Sequence, residues 1–119
     1  MARDASNAAQ NKKAEQVSDR RAVRRRDAFR AVLDTEPGRL VLSEVMADCG
    51  VLRAGFIADP MRLQFEAGQR NIGVWLRAEC QAHAPRSFRV MEDEKALRDD
   101  ADRREDEAVE KVGREVNVD

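Results

Sequence analysis

The residues of this chain that carry reactive groups are few, and their spacing argues against catalysis. His83 is the single histidine. It follows an apolar helical run in Gln81-Ala82-His83-Ala84-Pro85, among small residues, and no nucleophile or orienting carboxylate is marked near it. Its expected place is an exposed helix end. Cys49 and Cys80 are isolated in apolar helical contexts. They read as small buried hydrophobes of a reducing compartment rather than as a disulfide. Cys80 and His83 share a helix face at i, i+3, but with Cys49 they make at most three zinc ligands at unsuitable spacing. Calcium would need Asp and Asn at alternating positions with a glycine, and no such loop is present. Gly68 and Gly73 fall inside a helical run, not between a strand and a helix, so they do not form a phosphate loop. Asp99 and Asp100 sit in a solvated charged run. The expectation is a protein that is not an enzyme and has no metal and no cofactor.

Charge is the more informative chemistry. The formal net charge of −1 hides a polarity along the chain. Residues 1–30 hold nine basic and four acidic residues, residues 31–90 seven of each, and residues 91–119 six basic and twelve acidic. Such asymmetry between ends points to interaction tails. Arg20, Arg21, Arg24, Arg25, Arg26 and Arg30, with Lys12 and Lys13 upstream, have the chemistry to meet nucleic-acid phosphates in a salt-sensitive, sequence-independent way. The competing reading is a solvated amphipathic helix, or an arm that pairs with another copy's acidic tail. Because no aromatic residues interleave to stack on bases, the balance favours contact with protein. A helix-turn-helix reader is disfavoured. The linker from Gly50 to Asp59 is longer than the usual short turn, and the following helix offers only Arg62 and Gln64 to base edges.

The elements that position these groups are helical. At 119 residues the chain is at most one domain, with 38% charged and 4% aromatic residues. That composition favours helices with solvated faces over sheets. The fold class expected is all-α: a small three-helix unit, with a basic N-terminal helical extension and an acidic C-terminal tail. Residues 1–27 form the basic arm, disordered or frayed over 1–13 and helical from Ala14. Residues 28–84 form the compact core, and residues 85–119 form an acidic tail that is a solvated helix or a simple tail. Asp34-Thr35-Glu36-Pro37-Gly38 reads as a break, followed by a second helix from Arg39 to Cys49 with Leu42, Val45, Met46 and Cys49 on its buried face. Gly50 sits where a left-handed cap belongs. Phe56, in the connector, is expected to plug the core. Asp59-Pro60 starts the third helix, which runs to about Ala82. Its contact stripe is read as Met61, Phe65, Ile72 and Leu76, with Leu63, Ala67, Val74 and Ala78 as a second face. Gly68 and Gly73 each cost this helix about 1 kcal/mol relative to Ala, so a close backbone approach to another helix, within the domain or in a neighbouring subunit, is expected there.

The N-terminus lacks the apolar stretch of a secretory signal, and no run approaches a membrane span. A soluble protein made in a cytoplasm, with no membrane anchor, is expected. The run GRLVLSEVMADCGV followed by DPMRLQFEAGQRNIGVWL resembles a family of small proteins of short-tailed bacteriophages, encoded among packaging and capsid genes. The resemblance is carried by Phe29, Gly38, Cys49, Gly50, Phe65, Glu66, Gly68, Arg70 and Asn71, over less than half of the chain. Gln69-Arg70 stands where that pattern has two basic residues, which weakens any charge-based role for the pair. The resemblance implies a virion-associated or assembly protein, not an enzyme. Phe65, Glu66, Gly68, Arg70, Asn71 and Gly73 are the candidate protein-contact residues, with Glu66 and Arg70 spaced for an intrahelical pair. The expected partners are phage virion proteins or copies of the chain itself, and packaged DNA through the arginines. A small DNA-binding or packaging accessory protein is the alternative, and an inhibitor of a host enzyme a third reading.

Overall fold

The computed structural model describes residues 2–51 and 58–117. Four helices follow in order: α1 (Ala2–Leu33), α2 (Glu36–Asp48), α3 (Pro60–His83) and α4 (Pro85–Val116). The all-α expectation holds, but the body is built from all four helices and not three. Phe56, with Leu52 and Ile57, lies outside the described residues.

The core is small. It comprises Leu33 from α1, Met46 from α2, Cys80 from α3, Ala84 at the joint, and Phe88 and Met91 from α4. Phe29, Leu42, Val51 and Leu76 pack around it. The segment after Pro85, expected to be solvated, therefore supplies two of the largest core side chains. Pro85 ends no fold; it occupies the first turn of α4, where its missing N–H costs nothing. The single residue Ala84 joins α3 to α4. From Ala101 onward α4 is exposed throughout, and its charges pair along its own surface. Asp100 holds Arg103 and Arg104, Lys95 pairs with Asp99, and Arg114 with Glu110.

The break before α2 is shorter than expected. Thr35 caps the helix: its Oγ1 accepts from the Gly38 amide at 3.1 Å and donates to the Val32 carbonyl at 3.1 Å. Pro37 then falls inside the first turn, which accommodates it. A Cβ on Gly38 would stand 1.9 Å from the Val32 carbonyl oxygen, so glycine lets the end of α1 lie against the start of α2. The far end of α2 is as expected. Gly50 adopts φ 73°, its amide reaches the Ala47 carbonyl, and the Val51 amide reaches that of Met46. This is the paired bonding of a Schellman cap. Asp59 likewise caps α3, accepting from the Met61 amide at 3.0 Å.

Residues 1–13 were expected to be disordered or frayed; α1 instead continues from Ala2. The Ala, Gln, Lys and Arg residues among these positions have high intrinsic helix propensity, which needs no apolar period to be expressed. Nearly all of α1 before Phe29 is exposed.

Arg39 fastens the helices. Its Nε donates to both carboxylate oxygens of Glu94 at 3.0 and 3.2 Å, and its Nη1 donates to the Leu33 carbonyl at 3.0 Å. One side chain thus ties the end of α1, the start of α2 and the middle of α4. The bond to Glu94 raises the Arg39 pKa above its ordinary value. Arg30 adds a second tie, its Nε donating to the His83 carbonyl at 2.9 Å.

Candidate interaction surfaces

The six candidate protein-contact residues do not form one cluster. Gly73 is buried, and a Cβ there would come within 2.5 Å of Val51 Cγ2 and 2.7 Å of Cys49 Cβ. This is the expected close approach, made to the end of α2. Gly68 is different: among the described residues nothing lies within 4 Å of the space its Cβ would fill. Glu66 is half-buried and accepts from Arg62 at 3.3 Å, not from Arg70 as its spacing also allowed. Arg70 and Asn71 are exposed, and Phe65 is 67% exposed.

The contact stripe read along Met61, Phe65, Ile72 and Leu76 is corrected by the structure. Only Leu76 packs against the core, whereas Met61 is 81% and Ile72 62% exposed. The face of α3 that meets the body runs instead through Gly73, Leu76 and Cys80. Small residues set the approach and leave the large ones beside it uncovered. Trp75 is exposed on the same side as Met61, and Leu63 and Val74 are exposed on the other. The apolar periodicity alone does not distinguish which of the two apolar lines of α3 faces inward. The signal available was the smallness of Gly73 and Cys80.

The arginines lie along a continuous exposed helix. Successive residues of an α-helix advance by about 100°, which puts Arg20, Arg21, Arg24 and Arg25 on one side of α1 and Glu15 and Asp19 on the other. Among the described residues no ion pair reaches Arg20, Arg21, Arg24 or Arg25. Arg26 pairs with Asp27 at 3.3 Å, and Arg30 is engaged with His83.

His83 is not simply an exposed helix end. Its ring packs against Phe29 with centroids 5.3 Å apart, and its Nε2 lies 2.7 Å from Glu79 Oε2. It fastens α1 to the end of α3. Cys49 and Cys80 are both free thiols, Cys80 fully buried and Cys49 half-buried. Burial, aided by neighbouring Glu79, pushes the Cys80 pKa up from 9.0 to about 11, which makes it a poor nucleophile near neutral pH. Among the described residues no group of three or more His, Cys, Asp or Glu side chains is placed to hold a metal ion.

A cleft of about 160 Å³ opens between α2 and α4, lined by Ser43, Met46, Val51, Phe88 and Met91. Arg77 roofs it, with its guanidinium 5.5 Å from the Phe88 ring centroid and an Nη2 bond of 2.7 Å to Glu92. Its size suits one apolar side chain and is below the range of typical small-molecule sites.

These surfaces define a small all-α protein whose features suit contact: a thin helical body, two charged arms and an uncovered apolar helix. The family model of the Bbp19-like phage proteins matches residues 29–98, more than half of the chain, and the chain belongs to that family. The matched region runs from Phe29, the first core-packing residue, through the core-forming turns of α4, and omits most of both arms. No curated protein and no solved structure matches the chain. Among the described residues no helix is long and apolar enough to cross a membrane.

Proposed function

We propose that this phage protein is a non-enzymatic structural or assembly component that docks by its helical body onto a larger virion assembly, such as the portal, tail or internal virion proteins. The observation that carries this reading is the outward apolar surface of α3. Met61, Leu63, Phe65, Ile72, Val74 and Trp75 are all at least 47% exposed, in a body whose core holds six buried apolar residues among those described. Apolar surface on that scale marks a contact site. Family membership supplies the setting, a bacteriophage. On this reading the protein acts in the host cytoplasm during assembly and enters the virion if it is a component.

Two measurements test it. Mass spectrometry of purified virions should find the chain, or co-sedimentation should capture it on assembly intermediates. A chain that binds no particle component at any stage would count against docking.

A second reading, a DNA-binding or packaging accessory protein, is favoured by one observation. Arg20, Arg21, Arg24 and Arg25 share one side of α1 and have no ion-pair partner among the described residues. Such a contact weakens with salt, with a slope in log K of about −0.9 per neutralised phosphate. A gel-shift salt series on duplex DNA, run on the parent and on the Arg24→Ala, Arg25→Ala, Arg26→Ala triple variant, decides it. Loss of binding and a shallower slope in the triple variant are expected if the arm holds DNA.

A further inference from the structure

We propose that the uncovered line of α3 is a self-association seam, closed by α3 of a second copy of this chain. The inference rests on the reading of α3 as a docking face and names what covers part of it.

The spacing is the first argument. Met61, Phe65, Gly68, Ile72 and Trp75 follow one another at intervals of four, three, four and three. That alternation places one residue of each turn on a single narrow seam, the pattern with which two helices pack side by side at a shallow angle. Met61, Phe65, Ile72 and Trp75 are 81, 67, 62 and 51% exposed, so the described residues do not fill this seam.

Gly68 is the second argument. It sits at the middle of the seam and weakens the helix, yet nothing among the described residues approaches the place of its Cβ within 4 Å. A seam of large side chains with a gap at its centre is self-complementary. In an antiparallel pairing the gap receives the partner's Phe65 or Ile72, and the partner's gap receives the same residue in return. An isologous contact of this kind needs one patch that fits itself.

Charge is the third argument, and it selects a copy over a foreign partner. In a chain that is 38% charged, the third of α3 centred on this seam carries no charged side chain from Met61 to Ala78; Glu79, next in line after Trp75, is the first, and it is engaged by His83. Its flanks are Gln64 and Asn71 on one side and Leu76 and Gln69 on the other, with Ala78 and Arg62 at the two edges, Arg62 being paired with Glu66. Glu66, Arg70 and Arg77 lie on the opposite half. Pairing a surface with its own copy brings like against like, and these flanks bring no like charges together. Their amides both donate and accept, so Gln64, Gln69 and Asn71 satisfy one another across the pair. A charged foreign surface finds no complement there. Leu63, Val74 and both arms remain free for the larger assembly.

Sedimentation equilibrium of the full chain, from micromolar to millimolar concentration at low and high salt, tests the proposal. A monomer–dimer equilibrium that persists at high salt is expected. Phe65→Gln and Ile72→Gln should each weaken it at least about tenfold. Both residues are exposed in the single chain, so an unchanged circular dichroism melt will show that folding is intact. Gly68→Leu, which closes the gap, should weaken it similarly. Leu63→Gln and Val74→Gln, off the seam, should leave it unchanged. A chain that stays monomeric throughout overturns the proposal. So does a dimer indifferent to Phe65→Gln and Ile72→Gln, or one that salt dissolves, which would place the contact in the arms. Capture of a strictly monomeric chain on virion components would sink this inference while leaving the docking reading intact.

Discussion

Gly68 and Gly73 lie on the same helix and face different surroundings, so one substitution should act on them with opposite sign. At Gly68 the space for a Cβ is open, and Gly68→Ala should stabilise the monomer by up to about 1 kcal/mol through helix propensity. At Gly73 the same methyl would meet Val51 and Cys49 inside contact distance. Gly73→Ala should cost about 1–3 kcal/mol, as overpacking does. Urea unfolding at concentrations too low for association reads both. Cys80 makes a second residue-scale prediction. Its folded pKa lies above its unfolded one, so the folded state keeps a proton that the unfolded state loses. The stabilisation is whole below about pH 9 and falls progressively as pH rises toward 11. The melting temperature should drop over that window, and a Cys80→Ala variant should show a smaller drop. The half-buried Cys49 should react with an alkylating reagent near neutral pH before Cys80 does.

At the scale of the elements, some signals in the sequence were unambiguous and others had two solutions. Asp59-Pro60 and Gly50 were legible because each has one efficient use: a side-chain acceptor before a helix, and a residue free to take positive φ after one. Pro37, in the expected break, and Pro85, at the expected end of the core, have two solutions because proline serves equally to stop a helix and to open one, and both open one here. The capping oxygen of Thr35 decides the first case. The spacing of Ala84, Phe88 and Met91, at i, i+4 and i+7, was the signal for the second, overlooked inside a charged run. On α3 two apolar lines competed, and the small residues chose the inner one. The misplaced residues give a direct test. Phe88→Ala should cost about 3 kcal/mol or more, a large fraction of the stability of so small a core. Removal of residues 101–119 should leave the melting temperature nearly unchanged, since the described part of that segment makes no core contact. Differential scanning calorimetry distinguishes the two outcomes.

The whole molecule measures 93 × 38 × 15 Å, with a radius of gyration of 22.6 Å. A compact chain of this length would have about 14 Å. No helix here exceeds about 48 Å, so the long dimension is reached only because the free ends of α1 and α4 leave the body in diverging directions. A single copy should therefore sediment slowly for its 13.5 kDa mass and show an extended scattering profile. The same geometry holds the excess of bases in residues 1–30 apart from the excess of acids in residues 91–119. The chain is nearly neutral in sum but a strong permanent dipole in space. In the field of a charged surface it turns before it touches, presenting one end first, and neighbours drawn to that surface arrive in a common orientation. Screening over about 8 Å at physiological salt confines this turning to the last moments of approach, so polarity of arrival becomes a property set by ionic strength.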